Sequence, residues 1–284
     1  MLYATFVQKA AALLLTGLAV FYLSPFAFIT LFIVAGHGHF FASYLYQWKA
    51  GKVTARFVGA YIVFALLLFY WITHGASLID LLVIAGITFL LHHFYDEITL
   101  FSLKRNRATT LAIIPAAFAY LGLLLAGANY LPMSASTYAL ISCGVFAACI
   151  TFSLRYAERE EYPLIVYGAA VALGVTDLLW YVPHPPLTEA FGSLVIFHYV
   201  CWYVFYGFKL SGVPAKLYRY IGEMVGMNVL AVILYFIYVT APGAQFLYLL
   251  FAPAYFYGWT ILHIASSFAQ ALIPKLLGFP VSKH

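Results

Sequence analysis

The chain has 284 residues, of which 65% are hydrophobic and only 8% are charged. A soluble domain carries about 25% charged residues, so the composition excludes an ordinary water-soluble domain and predicts an all-α, polytopic membrane protein. The formal net charge of +5 is interpreted as a signal of membrane topology, because basic loops indicate which side faces the cytoplasm. We expect no nucleic-acid partner.

Ten segments, taken in chain order, are long and apolar enough to cross a bilayer, which needs about 20 residues per helix. Charged residues and Pro/Gly clusters separate them. They cover approximately residues 4–23, 26–48, 53–73, 78–103, 108–130, 136–154, 163–182, 187–209, 221–240 and 244–272. We therefore predict five helical hairpins in a single transmembrane domain spanning residues 1–284.

The connections between these segments alternate in charge. One set is basic, as in KRNR at 104–107, and the other is short and almost uncharged, as in PMSA at 132–135 and APGA at 241–244. Because cytoplasmic loops carry the excess of Lys and Arg, both termini are predicted to face the cytoplasm. The expected location is a multi-pass position in the cell membrane (the inner membrane if the source is prokaryotic).

Four of the spans that descend toward the basic loops carry a histidine at the same depth. These residues are His39, His93, His198 and His263, each 10 to 12 residues before the lysine that ends its span. At a rise of 1.5 Å per residue they lie about 16 Å from that boundary, which is near the middle of a hydrocarbon layer of about 30 Å.

Histidine in mid-membrane usually faces a bundle interior and has a partner there. Several neutral imidazoles that meet at one level can hold a transition metal. We therefore predict that His39, His93, His198 and His263 form a metal site. The alternative is that each histidine is a separate hydrogen bonder between helices.

Two further histidines adjoin this set. His92 and His93 point about 100° apart on a helix, so one is expected to be a ligand and the other to support or replace it. In AGHGHFF, His37 and His39 face opposite sides of a regular helix. Either the flanking glycines unwind the helix and make His37 a further ligand, or His37 faces a substrate pocket.

Carboxylates near the histidines are expected to take part in catalysis. Asp96 lies one turn after His92, and Asp177 lies in mid-span. A carboxylate that accepts the distal N–H of a metal-bound histidine fixes its tautomer and offsets the charge of the ion. Glu97 could support the ligands from further out. For both Asp96 and Glu97 the alternative is a salt bridge to Lys104 or Arg105.

The aromatic content of 19% exceeds what two interfacial belts need. It suits a bulky apolar or conjugated ligand, although aromatic rings could also simply fill the spaces between helices. We expect four aromatic residues to wall a substrate tunnel that opens to the lipid: Tyr44, Tyr95, Trp202 and Tyr203.

The donor set indicates the metal. Imidazole-rich sites suit Fe, Cu or Zn, and non-haem iron beside an aromatic cavity fits dioxygen chemistry on a lipophilic substrate. The polytopic architecture, with mid-membrane histidines and acidic residues near them, resembles the Brp/Blh family of membrane oxygenases, which cleave β-carotene to retinal. The resemblance implies a dioxygenase with four-histidine iron and a carotenoid or other lipid substrate.

Two other classes compete with an oxygenase. A haem-binding electron carrier would hold haem between opposed histidines, and Gly36, Gly38 and Gly192 would leave room for the ring. A proton or metal transporter would use the His/Asp/Glu cluster as a relay. Beyond that cluster, however, the spans offer few polar residues to line a hydrated pathway.

Overall fold

The computed structural model describes residues 11–12, 14–19, 22–100 and 187–271, together with 134, 137, 140, 141, 144, 147, 151 and 155. Every regular element in these parts of the chain is helical, which confirms the all-α prediction. The elements are α1 (Pro25–Lys49), α2 (Ala55–His74), α3 (Leu78–Leu100), α4 (Leu187–Leu210), α5 (Pro214–Thr240), a 3₁₀ turn (Gln245–Leu247), α6 (Tyr248–Phe251) and α7 (Pro253–Ala271). Predicted spans 108–130 and 163–182 lie outside the described residues.

The helices begin where local chemistry satisfies their first N–H groups. The Thr54 hydroxyl accepts the N–H of Phe57 at 3.2 Å and starts α2. At the start of α3, Ser77 and Asp80 cap each other reciprocally: the Asp80 N–H donates to Ser77 Oγ at 3.1 Å and the Ser77 N–H to Asp80 Oδ2 at 3.2 Å. Such a capping box satisfies two N–H groups that lack helical partners.

Two predicted boundaries are wrong, and proline explains both. Helix α5 begins at Pro214 and not near residue 221, because proline has no N–H to lose at the first position of a helix. The predicted last span, 244–272, is not one helix. It is a 3₁₀ turn followed by α6 and α7, and these two parts meet at a bend of 56°.

Among the residues that the structure describes, three helices are long and apolar enough to cross a membrane: α1, α2 and α5. The bent pair would make a fourth if it counts as one span. Large apolar side chains of α2 and α5 are open to the surroundings; Leu66 is 66% exposed and Phe236 is 64% exposed. Exposed apolar faces of this length mark a surface that something apolar covers, and lipid is the natural cover. The ten-span topology with cytoplasmic termini stays a prediction.

The chain divides into two compact units. The first comprises Met1–Phe32 and His93–Ile221, and the second comprises Ile33–His92 and Gly222–His284. In the first unit α4 approaches the start of α1 so closely that a Cβ on Gly192 would lie 2.9 Å from Phe28. In the second unit α2 packs on α7, and Gly38 brings α1 against α5.

The Gly38 contact gives a stability prediction. A Cβ at this position would lie 2.8 Å from Asn228 Cγ and 3.1 Å from the Asn228 Cα atom, so the α1 and α5 backbones would have to separate. We expect Gly38→Ala to lower the unfolding free energy by about 1–3 kcal/mol, measured by denaturation in detergent. Gly59, which has no atom within 4 Å of the same position, supplies the control. A Gly38→Ala protein as stable as Gly59→Ala would contradict the close crossing.

The break between α6 and α7 is caused by Pro253. Proline has no N–H to donate to the carbonyl four residues earlier, which is that of Leu249, and Ala252 has the extended backbone that ends α6. The Trp259 indole N–H donates to the Leu249 carbonyl at 2.8 Å. A side chain therefore replaces the backbone donor that the proline removes.

His37 satisfies a second carbonyl of the same break. Its Nε2 atom lies 2.7 Å from the carbonyl oxygen of Leu250, and its side chain is buried. Non-helical backbone at membrane depth is tolerated only where its polar groups are satisfied internally. Helix α1 itself continues through Gly36 and Gly38, so the unwinding that the two glycines allow does not occur.

Candidate metal centre

In the first unit, α3 and α4 bring two predicted ligands together. His93 and His198 are both buried, and their Nδ1 atoms lie 3.3 Å apart. With metal–nitrogen bonds of about 2.1 Å and near-tetrahedral angles, two ligand nitrogens of one ion lie about 3.4 Å apart. The separation therefore suits either a hydrogen bond between neutral rings or two ligands of one ion.

Asp96 lies on the far side of the His198 ring. Its Oδ2 atom is 3.7 Å from His198 Nε2, while Nδ1 of that ring faces His93. The Trp202 indole N–H donates to the same carboxylate oxygen at 2.8 Å and holds it in place. A carboxylate opposite the ligating nitrogen is the usual support of a metal-bound histidine, so the predicted role of Asp96 fits this position.

In the second unit, two histidines lie close to His263 of α7. The His263 ring centroid lies 5.1 Å from that of His39 and 5.8 Å from that of His92. Two imidazoles on one tetrahedral ion have centroids about 5 Å apart, so the spacing of His39 and His263 suits two ligands of one ion.

His263, the ring that both other histidines border, has an unsatisfied polar atom. Its Nδ1 is buried and has no hydrogen-bond partner within the described part of the chain. The ring is enclosed by Phe40, which stacks on it with centroids 4.8 Å apart. A buried nitrogen without a partner costs about 1–3 kcal/mol, and binding an ion would remove that cost.

The four predicted ligands thus form two pairs, His93 with His198 and His39 with His263. His92 joins the second pair through His263. Of the neighbouring residues His92 and His93, the first borders His263 and the second borders His198. A single ring of all four histidines stays a prediction.

The remaining predicted ligand, His37, belongs to the helix break and not to either group. Its neighbours are aromatic: the rings of Phe251 and Phe256 lie edge-on to it, with centroids 5.0 and 5.4 Å away. Because its Nε2 is bonded to the Leu250 carbonyl, we do not include His37 among the proposed ligands.

The predicted substrate residues are placed unevenly. Tyr44 borders the His263 ring, with centroids 6.1 Å apart. Trp202 stacks on Tyr206 at 5.3 Å in addition to holding Asp96. The carbonyl of Tyr203 accepts a hydrogen bond from the Tyr220 hydroxyl at 3.3 Å. Asp177 and the side chains of Tyr95 and Glu97 lie outside the described parts of the structure, so their roles stay predictions.

Two polar residues that the sequence did not single out adjoin the histidines of the second unit. The Tyr61 hydroxyl lies 2.5 Å from that of Tyr44, and Ser266 is buried one turn after His263. The spacing of Ser266 from His263 was a usable signal. Tyr61 lies on a helix without a mid-span histidine, so no pattern pointed to it.

Fold and site together define an α-helical protein with membrane-length helices and buried, convergent histidines. Comparisons with protein-family models, with curated proteins and with solved structures find no match. Its function must therefore be inferred from these residues.

Proposed function

We propose that this protein is a membrane-embedded, metal-dependent enzyme of the oxygenase type that acts on a lipophilic substrate such as a carotenoid or another lipid. The observation that carries the proposal is the buried Nδ1 of His263, which has no partner among the described residues, in a ring that lies beside those of His39 and His92. Non-haem iron is the proposed ion.

The donor set fits a transition metal better than a hard cation. His39, His92 and His263 offer three neutral imidazoles, and three histidines with an open fourth position make a typical catalytic metal site. The pair His93 and His198 offers two more. Asp96 and His198 have ligand atoms within 4.8 Å of each other, so the carboxylate can either orient the histidine or bind an ion itself.

The protein residues around the ion have distinct tasks in this proposal. When bound, such an ion would supply an open coordination position for the activation of dioxygen. The ring of Phe40 covers one face of His263, and the nearby negative charge of Asp96 would favour the tautomer in which His198 Nε2 carries the proton and Nδ1 a lone pair. The apolar helices admit a substrate from the lipid and hold its chain close to the imidazoles.

The test is the metal content of the protein purified in mild detergent. Wild type is expected to hold a stoichiometric amount of iron, and His263→Ala is expected to lose it. His74→Ala is the matched control, because His74 is exposed and its Nδ1 bonds the Tyr70 carbonyl within its own helix. Size-exclusion chromatography checks that each variant is folded.

Three results would overturn the proposal. Wild-type protein that takes up no transition metal, even after anaerobic loading with ferrous iron, would exclude a metal enzyme. Sharp reduced-minus-oxidised visible bands would identify a haem protein instead. A folded His263→Ala protein with full metal content would remove His263 from the site.

The broken helix favours a transporter as a second candidate, because discontinuous helices form substrate sites in many transporters. Two carbonyls at this break are already bonded, however, by Trp259 and His37. They are not available to coordinate an ion, which favours a structural role for the break.

A further inference from the structure

A group of neutral polar side chains lies beside the histidines of the second unit. We call it the hydroxyl–amide cluster; its members are Ser43, Tyr44, Gln47, Tyr61 and Ser266. The Tyr44 and Tyr61 hydroxyls are 2.5 Å apart, and the Gln47 amide donates to Ser43 at 3.3 Å and to Ser266 at 3.4 Å. The two sets of hydrogen bonds adjoin at Ser43 and Tyr44, which are consecutive residues of α1. Three helices, α1, α2 and α7, therefore contribute to one polar surface.

The cluster adjoins the imidazoles on the side of the basic helix ends. The Ser266 hydroxyl donates to the His263 carbonyl at 2.7 Å, and the Tyr44 ring borders that of His263. Tyr44 follows His39 by five residues, which is about 7.5 Å along the helix. A molecule bound at the cluster would place its next few carbon atoms beside the histidines.

The chemistry of the cluster selects a neutral oxygen. Hydroxyl and amide groups both donate and accept hydrogen bonds, and no member of the cluster is charged. An anion or cation buried here would need an opposite charge to offset its loss of hydration. A hydroxyl or carbonyl group needs only hydrogen bonds, and these side chains supply them.

Helix association alone does not require so many polar groups. Interhelical hydrogen bonds in membranes contribute about 0.6 kcal/mol each, and apolar side chains would pack these helices at lower cost. All members except Ser266 are partly exposed, so they border accessible space. Ligand sites commonly combine apolar walls with a few convergent polar groups, and the aromatic residues around His263 supply such walls.

We infer that the hydroxyl–amide cluster binds a hydroxyl or carbonyl oxygen at one end of the substrate's apolar chain. Such binding fixes how far the substrate extends along the helices, so that the same carbon atoms of its apolar chain always lie beside His39 and His263. The substrate class is thus a long apolar molecule with a neutral oxygen at its end. The role in catalysis rests on the proposed function, whereas the binding itself does not.

The experiment compares two photoreactive probes on protein in lipid nanodiscs. One is hexadecanol with a mid-chain diazirine, and the other is the same chain without the hydroxyl. We expect the alcohol to label α1 and α7 saturably, with competition by unlabelled hexadecanol, and the hydrocarbon to label no site saturably. Tyr44→Phe and Tyr61→Phe should each weaken alcohol binding about fivefold to tenfold, because each removes one hydrogen-bond partner. Tyr70→Phe, at an exposed position of the same helix as Tyr61, should leave binding unchanged.

Equal labelling of wild-type protein by the two probes would by itself overturn the inference, whether or not the variants fold. Unchanged affinity in folded Tyr44→Phe and Tyr61→Phe proteins would overturn it as well. Metal content is measured in the same preparations. Selective alcohol binding by a protein that holds no metal would contradict the proposed function and support the binding site. Metal binding without selective alcohol binding would contradict the binding site and support the proposed function.

Discussion

Asp96→Asn should weaken metal binding about 10–100-fold, the usual effect of removing a carboxylate that supports a metal-bound histidine. Asparagine keeps the shape of the side chain and still accepts the Trp202 N–H through its amide oxygen. It loses the negative charge that lies 3.7 Å from His198 Nε2. The tautomer with a lone pair on Nδ1 is then no longer favoured, and the charge of the ion is no longer offset. The measurement is an apparent dissociation constant from competition with a chelator at fixed pH.

Two comparisons make this result specific to the site. Asp80→Asn changes a carboxylate on the same helix that is exposed and serves to cap α3, so its metal affinity should equal that of wild type. Asp96→Ala should cost stability as well, because the Trp202 indole N–H would lose its acceptor. If Asp96→Asn binds metal as tightly as Asp80→Asn, Asp96 only connects α3 to α4 and does not affect metal binding.

The sequence predicted the all-helical architecture and the different directions of His92 and His93, because both follow from the helical repeat. His92 and His93 illustrate this: a helix must turn consecutive side chains about 100° apart, and the two residues contact His263 and His198 respectively. The matched depth of His39 and His263 likewise anticipated their contact. Depth does not determine which helices are neighbours, however, so a common ring could not be derived from it.

The features that were missed depend on helix rotation and on local backbone chemistry. Tyr61 meets Tyr44 only because α2 turns that face toward α1, and composition carries no information on that rotation. The break at Pro253 was readable in principle, since proline inside a helix removes a hydrogen bond. The apolar character of residues 244–272 concealed it. Two side chains donate to the carbonyls at the break. His37 is distant from it in sequence, and the direction of the Trp259 side chain depends on packing.

Substitution of His37 should lower the stability of the protein and leave its metal binding unchanged. His37→Phe keeps a ring among Phe251 and Phe256 but removes the donor to the Leu250 carbonyl. A buried carbonyl without a partner costs about 1–3 kcal/mol, so the unfolding free energy should fall by that amount while metal content stays that of wild type. His37→Gln retains an N–H donor and should restore part of the stability.

His39→Ala is the matched comparison, two residues further along the same helix. It should lose metal affinity, because His39 lies 5.1 Å from His263 by ring centroids, whereas His37 bonds backbone at the break. Trp259→Phe should resemble His37→Phe, since it removes the donor to the neighbouring carbonyl of Leu249. Loss of metal in a folded His37→Phe protein would return His37 to the ligand set. Undiminished stability in both His37→Phe and Trp259→Phe would show that the break between α6 and α7 does not depend on side-chain donors.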